Sequence, residues 1–278
     1  MTLGFMIPEE ILEKFRHIAK SKIRLPIYKM LLLGFLAGAY ISFGAQVATM
    51  IGHDASKFLG VGVAKFLFGS VFSVGLMLVV IGGAELFTGN NLIVVGVLTK
   101  RATWSGLLRN WFWVYIANFI GSIFVVYLMF YTELWKTNNF GVGAFALKIG
   151  IAKVHLTWIE AFTRAILCNW LVCLACWIAI ASKDIIGKIF AIYFPIMAFV
   201  ASGFEHSVAN MYFVPMAIML KGQANVVSAS GISQGLLSSL TWGNFITNNL
   251  IPVTLGNIIG GGLLVATIYV LIYWKKEE

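Results

Sequence analysis

Charge is scarce in this sequence. Only 11% of its 278 residues are Asp, Glu, Lys or Arg, where an ordinary soluble domain carries about 25%. The little there is leans to one sign, with 11 acidic residues against 20 basic and a formal net charge of +9. Apolar residues make up 60% of the chain and the mean hydropathy is +0.89, more than a soluble domain of this length can hide. That excludes a soluble enzyme and reads as one integral membrane domain. The basic excess falls in loops and at the ends, where it sets topology, so no nucleic-acid partner is implied. No cleavable signal is expected, because the N-terminus carries Glu9, Glu10 and Glu13 and lacks a short apolar core with a cleavage site.

Cysteine and histidine are equally sparse. Cys168, Cys173 and Cys176 lie within one apolar segment. The Cys173-Leu-Ala-Cys176 pair has no second pair, and His155 lies outside the segment, so the thiols read as packed side chains with no disulfide framework and no metal. Haem in a membrane bundle needs facing histidines within the spans. Only His206 is deep, while His17, His53 and His155 fall in terminal or loop segments. No cofactor and no enzymatic activity are expected.

What the chain has is long apolar runs. Ile7 to Lys22 reads as an amphipathic helix, with Pro8 in its first turn and Ile7, Ile11, Phe15 and Ile18 at helical spacing. It suits either the membrane interface or a pore mouth. A first span runs from Tyr28 to Met50 and holds Gly34 and Gly38, a small-xxx-small spacing that permits close helix contact. The stretch from Gly60 to Leu98 is too long for one span. Its middle, Gly82 to Asn91, leaves helix easily, which predicts a helix, a loop and a short half-helix after Asn90. A third span covers Gly106 to Tyr131, a polar connection Thr132 to Trp158, and a fourth span Ile159 to Ala181. A fifth, Lys188 to Leu220, carries Ser202-Gly-Phe-Glu-His-Ser-Val-Ala-Asn210 at its centre. A polar loop, Lys221 to Asn244, precedes a sixth span from Phe245 to Trp274.

The fifth segment organises this reading. Ionisable groups at membrane depth are costly and mark transport paths, and broken backbone survives there only where it lines a cavity. Its pattern also repeats: Asn90 follows Glu85 at the spacing by which Asn210 follows Glu205, and Asn110, Asn118 and Gly121 are spaced as Asn249, Asn257 and Gly260 are. An odd number of spans separates the halves, so they have opposite orientation, a transporter and channel design whose half-helix N-termini favour anions. The expected fold is therefore an all-α membrane protein of six transmembrane helices in two inverted repeats, with helices two and five broken. Residues 1–27 form the N-terminal segment, 28–274 the pore domain and 275–278 a tail. Both termini share one side. That side is the more basic (Lys14, Arg16, Lys20, Lys22, Arg24, Lys29, Lys100, Arg101, Arg109, Lys183, Lys188, Lys275 and Lys276 against Lys57, Lys65, Lys136, Lys148, Lys153 and Lys221), hence cytoplasmic, in a cell membrane.

Four motifs resemble the formate/nitrite transporter family, its formate channels most closely. They are Gly83-Ala-Glu-Leu-Phe-Thr-Gly89, Asn169-Trp-Leu-Val-Cys-Leu174, Ala201-Ser-Gly-Phe-Glu-His-Ser-Val-Ala-Asn-Met211 and the stretch from Asn244 to Gly262, with Lys153-Val-His155 beside them. The resemblance implies an aquaporin-like fold, a homopentamer with one pore per protomer, and transport of small anions: formate, with nitrite, hydrosulfide and acetate as related solutes. It also implies residue roles. Leu76 and Phe199 match the cytoplasmic-side constriction, and Phe72, Leu86 and Val172 the outer one. Thr88 and Asn169 match polar groups between them and His206 the pore histidine. Lys153 matches an anion-attracting lysine of the outer vestibule, and Glu205 the glutamate that helps hold the loop. Formate channels more often carry aspartate where this chain has Glu85, which reads as an acid stabilising the break. Both glutamates are expected to bond backbone amides there. Alternatives stand beside these roles: a structural histidine at His206, a solvated loop charge at Lys153, ordinary core at the apolar positions. A proton joining the anion would let a neutral acid cross the apolar rings, and histidine suits that exchange near neutral pH. A scaffolding protein would leave the two matched breaks unexplained.

Overall fold

The computed structural model describes residues 4–275, so Lys276 and the rest of the expected tail lie outside the described residues, as do residues 1–3. The chain is helical. Helix α1 (Pro8–Ile23) is followed by α2 (Ile27–Phe72), α3 (Val74–Gly82), α4 (Ile93–Leu98), α5 (Trp104–Tyr131), α6 (Gly141–Val154), α7 (Trp158–Ala181), α8 (Ile185–Ala201), α9 (Ser207–Leu220), α10 (Ala224–Ser230), α11 (Gln234–Ser239) and α12 (Trp242–Tyr273). Four stretches are long and apolar enough to cross a membrane: Ile27–Gly82, α5, α7 and α12. The shorter apolar helices are Gly89–Leu98, α8 and α9.

Local chemistry sets the boundaries. Thr103 caps α5 by accepting from the Gly106 N–H, Asp184 caps α8 through Gly187, and Thr157 with Glu160 forms a capping box on α7. Helix α2 is bent at Gly60, which takes φ +76°, a left-handed value that suits glycine. Chain leaves helix between α3 and the turn at Gly89–Leu92, and again between α8 and α9, with Gly83 (φ +84°) and Gly203 (φ +78°) at matching places.

Two expectations change. The segment Thr132–Trp158 is not a polar connection, because it contains α6, whose Val142, Leu147, Ile151 and Val154 are buried. Lys148 and Lys153 disguise its apolar face in sequence. The polar loop after α9 folds into α10 and α11. The final helix is not regular: Phe245–Leu250 and Ile259–Thr267 are π-helical, the wider winding that often marks functional sites. The second of these contains Gly261, where an added Cβ would stand 2.6 Å from both Asn169 Nδ2 and Cys173 Sγ.

Helix α1 is packed on protein. Ile11, Leu12, Phe15 and Ala19 are buried, Phe15 stacks on Trp177 at 5.2 Å, and Ala19 faces Gly96 of α4. The Met6 N–H donates to the Ala181 carbonyl at 2.9 Å, which straps the chain before α1 to the end of α7.

The long helices approach closely through small residues. A Cβ on Gly38 would lie 2.0 Å from the Asn118 carbonyl oxygen, and one on Gly121 2.0 Å from that of Phe35. Helices α7 and α12 repeat the device, where a Cβ on Gly260 would fall 2.2 Å from the Ile166 oxygen. Backbone cannot retreat from such a clash without separating the helices. Gly121→Val should therefore destabilise the protein by about 3 kcal/mol or more, read as lost thermal stability and lost monodisperse yield in detergent. Gly62→Ala, with nothing within 4 Å of the new Cβ, should change neither; equal behaviour of the two variants would refute this packing account.

Candidate functional site

Where buried chain leaves helix, its backbone groups lose their helical partners and something must satisfy them. Here two asparagines do so in the same way. Asn118 Oδ1 accepts from the Phe87 N–H at 2.9 Å, while its Nδ2 donates to the carbonyls of Gly34 (2.8 Å) and Glu85 (2.9 Å). Asn257 Oδ1 accepts from the Ser207 N–H at 2.9 Å, while its Nδ2 donates to the carbonyls of Ala165 (2.9 Å) and Glu205 (3.0 Å). The amides of the two glutamates also match, donating to the Leu33 and Arg164 carbonyls.

Each glutamate carboxylate is then neutralised in the same pattern. Glu85 accepts from Lys22 Nζ at 2.5 Å and Asn90 Nδ2 at 2.7 Å, and Asn90 donates on to Asn110 at 2.8 Å. Glu205 accepts from Lys153 Nζ at 2.9 and 3.1 Å and from Asn210 Nδ2 at 2.7 Å, and Asn210 donates on to Asn249 at 2.7 Å. Asn110 and Asn249 return to the lysines' own carbonyls, at 3.4 and 3.1 Å. Both carboxylates are buried, with Glu85 and Glu205 side chains 8% and 6% exposed, while their lysine partners are 24% and 14% exposed. The carboxylates bond lysine and asparagine side chains, not the backbone amides expected from the sequence; the amides go to carbonyls and to Asn118 and Asn257. Lys153 is no solvated loop charge, since it ends α6 with its ammonium on Glu205 and 5.4 Å from the Phe213 ring centre. Lys22, at the end of α1, is its counterpart and went unnoticed in sequence. It lies among other bases, and nothing local marks it.

His206 stands at the N-terminus of α9 and is 2% exposed. Its Nδ1 accepts from the Ala209 N–H at 3.0 Å. A backbone N–H can only donate, so Nδ1 carries no proton here. The ring's proton is on Nε2, which lies 2.8 Å from Thr88 Oγ1 and donates to it. Thr88 keeps its own hydroxyl proton, while its backbone carbonyl accepts from Asn169 Nδ2 at 3.2 Å and from the Cys173 thiol at 3.4 Å. Asn169 spends its other N–H on the Asn257 carbonyl at 2.7 Å, and its Oδ1 is buried without a protein partner. Both its donors are thus consumed in holding the loop.

His206 lines two cavities. One is a wide vestibule of about 510 Å³, with Lys153, Phe72 and Phe199 in its wall. The other is closed, only about 10 Å³, and lined by Ile41, Phe72, Leu76, Leu86, Val172, Ile196, Phe199 and His206; that is room for about one water. All five residues read as constrictions meet there, but grouped otherwise than expected. Phe72 and Phe199 pack edge to face, 5.9 Å between ring centres, and alone among the five also line the vestibule. Leu76, Leu86 and Val172 line only the closed cavity. Ile41 and Ile196 were missed, because a buried isoleucine in an apolar helix carries no signal. Among the described residues no cluster of three His, Cys, Asp or Glu is placed to hold a metal ion.

The chain is similar to known proteins over nearly its whole length. Residues 9–271 match the formate/nitrite transporter family. The chain is 45% identical to a probable formate transporter of Methanothermobacter thermautotrophicus, covering 99% of this chain and 100% of that one. It is 42% identical to the formate channel FocA of Escherichia coli strain K12, over 90% and 88% of the two chains. Among solved structures it is similar to a pentameric formate channel with formate bound (TM-score 0.81, 40% identity, 90% of this chain and 98% of that one). It is also similar to an FNT family ion channel (TM-score 0.77, 27% identity, 94% and 97% covered).

Removing one partner of a buried ion pair strands the other. Lys153→Ala should lower stability by about 3–5 kcal/mol, whereas Lys153→Met combined with Glu205→Gln should recover most of the loss. Thermal unfolding of the purified protein measures both, and a single variant that melts with the wild type would show the pair to be dispensable.

Proposed function

The chain belongs to the formate/nitrite transporter family, and from that premise we propose that it conducts formate through a pore in each protomer of a homopentamer, by way of His206. Its relatives include formate channels and transporters, one of them a pentameric assembly. One observation carries the reading: a buried imidazole sits between a wide vestibule and a closed apolar cavity, with both nitrogens hydrogen-bonded. Nitrite, hydrosulfide and acetate, also conjugate bases of weak acids, are the runner-up solutes of the same path.

In this reading α3 with α4, and α8 with α9, each make one interrupted crossing, giving six crossings in two inverted, aquaporin-like repeats. Both termini are cytoplasmic in a cell membrane and the Lys153 vestibule opens outward. The asparagine and glutamate networks recur in matched order, which supports the repeat. Helices α1 and α6, which carry Lys22 and Lys153 in their last turns, are equivalent parts of the two halves, so α1 belongs to the pore architecture. Glu85 and Glu205 anchor the breaks.

The solute enters as an anion, drawn to the positive vestibule and to the N-terminal end of α9. Phe72 and Phe199 close the vestibule's inner end, and Leu76, Leu86 and Val172 stand beyond. An anion stripped of water among these side chains is heavily penalised, and a neutral acid is not. His206 supplies the proton. Neutral in the conformation described, it takes up a proton at Nδ1, and that requires letting go of the Ala209 N–H. Proton uptake and uncapping of α9 are one event. The imidazolium then gives its proton from Nδ1 to the anion and returns to the neutral ring, while Thr88 Oγ1 accepts from the Nε2 N–H and holds the imidazole in place. Asn169 contributes by fixing the Thr88 carbonyl.

Uptake of labelled formate into proteoliposomes tests this. Wild-type flux should rise as the outer pH falls, and His206→Phe should cut it on the order of 100-fold and remove the pH response. Thr88→Val should slow flux and keep the response. A His206→Phe pore with unchanged, pH-dependent formate flux would end the proton-exchange account.

A further inference from the structure

The vestibule is built for a larger guest than a one-carbon anion. Its volume of about 510 Å³ falls in the range of pockets that hold drug-sized organic molecules, about 300–1,000 Å³. Its wall is strongly aromatic, with Phe68, Phe72, Phe145, Phe199, Phe204 and Phe213 all facing it. These rings are mutually packed: Phe68 lies 6.2 Å from both Phe145 and Phe213, and Phe213 stacks on Phe72 at 6.4 Å. Such a surface gives formate nothing, since a small hydrated anion gains only from charge and hydrogen bonds. It gives an aryl group large contact area and edge-to-face partners. Gly52 helps keep the chamber open, for a Cβ there would press into the Phe68 ring at 2.6 Å.

The charges around the chamber specify the other end of the guest. Four ionisable side chains besides His206 line it: Lys65, Lys153, Arg164 and Glu205. Lys153 and Glu205 cancel each other. Arg164 is engaged only loosely, 3.7 Å from Glu160 and 41% exposed. Lys65 makes no ion pair among the described residues and is exposed on the stretch of α2 beyond the Gly60 bend. A surplus of positive charge therefore faces a chamber of aromatic rings.

We propose that this vestibule binds amphipathic aryl monocarboxylates, their rings among Phe68, Phe145 and Phe213 and their carboxylates at Lys65 and Arg164, and that these acids, too bulky to pass Phe72 and Phe199, block the pore from the outside. The inference rests on the vestibule being the outer mouth of the formate path, but its binding arm does not depend on transport.

The probe is 3-phenylpropionate, with 3-phenyl-1-propanol as the uncharged analogue. Both are titrated calorimetrically into the full-length protein in nanodiscs, with empty nanodiscs subtracted. The acid should bind, and the alcohol should bind about tenfold more weakly or not at all. Phe145→Ala should weaken the acid about tenfold. Lys65→Gln and Arg164→Gln should each weaken it about threefold to fivefold, as expected for partly exposed charge contacts. Phe145→Ala, which removes no charge, should conduct formate as the wild type does. In right-side-out vesicles, outside 3-phenylpropionate should slow formate uptake by the wild type. Equal binding of acid and alcohol would show only a greasy slot, and no binding, or binding indifferent to all three substitutions, would overturn the proposal outright. Binding without formate flux in the wild type would count against the formate reading alone. Formate flux without binding would count against this inference alone.

Discussion

Two buried carboxylates, each closed by a lysine and an asparagine, allow this chain to break its helices where a helix should not break. A glutamate in a membrane interior is expensive, and burying an ion pair there repays the desolvation only if geometry is good and the remaining lone pairs are used. Here they are used. Glu205 accepts from Lys153, Asn210 and Asn249, and Glu85 from Lys22 and Asn90. With each carboxylate fixed, the residues that follow are held in one conformation, and Asn118 and Asn257 tie the freed backbone to neighbouring helices. His206 and Leu86, each one residue beyond its glutamate, reach the closed cavity only because of that chain of constraints.

Chemistry enters where the two halves differ. Leu86 follows Glu85, and His206 follows Glu205. In one half the position next to the anchor contributes a hydrocarbon to the cavity wall, and in the other an imidazole. His206 also caps α9 by accepting from the Ala209 N–H, a task a leucine cannot perform. The histidine thus caps a helix and also presents an imidazole to the cavity. The same logic applies to Thr88, whose side chain bonds the histidine across the two halves, while its backbone is held by Asn169 and Cys173.

The matched breaks were legible in sequence because Gly83, Glu85 and Asn90 keep the spacing of Gly203, Glu205 and Asn210, and a break demands unusual residues. Asn118 and Asn257 were visible as a repeat, yet their task was not, because a spacing does not say which carbonyl an amide will reach. Helix α6 was lost for a different reason. Its buried stripe of Val142, Leu147, Ile151 and Val154 is interrupted by Lys148 and Lys153, and composition averaged over the segment reads as a loop. Lys22 was hidden by its neighbours Lys20 and Arg24, since only a three-dimensional partner separates one base from another. The regrouping of Phe72 with Phe199 is a packing fact, invisible to any spacing rule.

Magnitudes decide why a closed apolar cavity can lie on the route of an acid. Protonating a carboxylate of ordinary pKa at pH 7 costs about 4 kcal/mol. Moving the bare ion into an apolar medium costs far more, tens of kcal/mol in the Born limit and still several after relaxation. The protonated route is therefore the lower one even though the neutral acid is the rare species in water. A histidine does not change that equilibrium. It changes where the proton is found, by placing a donor at the entrance of a space with room for about one water, where a solute would otherwise have to arrive already neutral. On the proposed route the apolar residues would be part of the selectivity, rejecting what cannot shed its charge, and the imidazole beside them would serve what can.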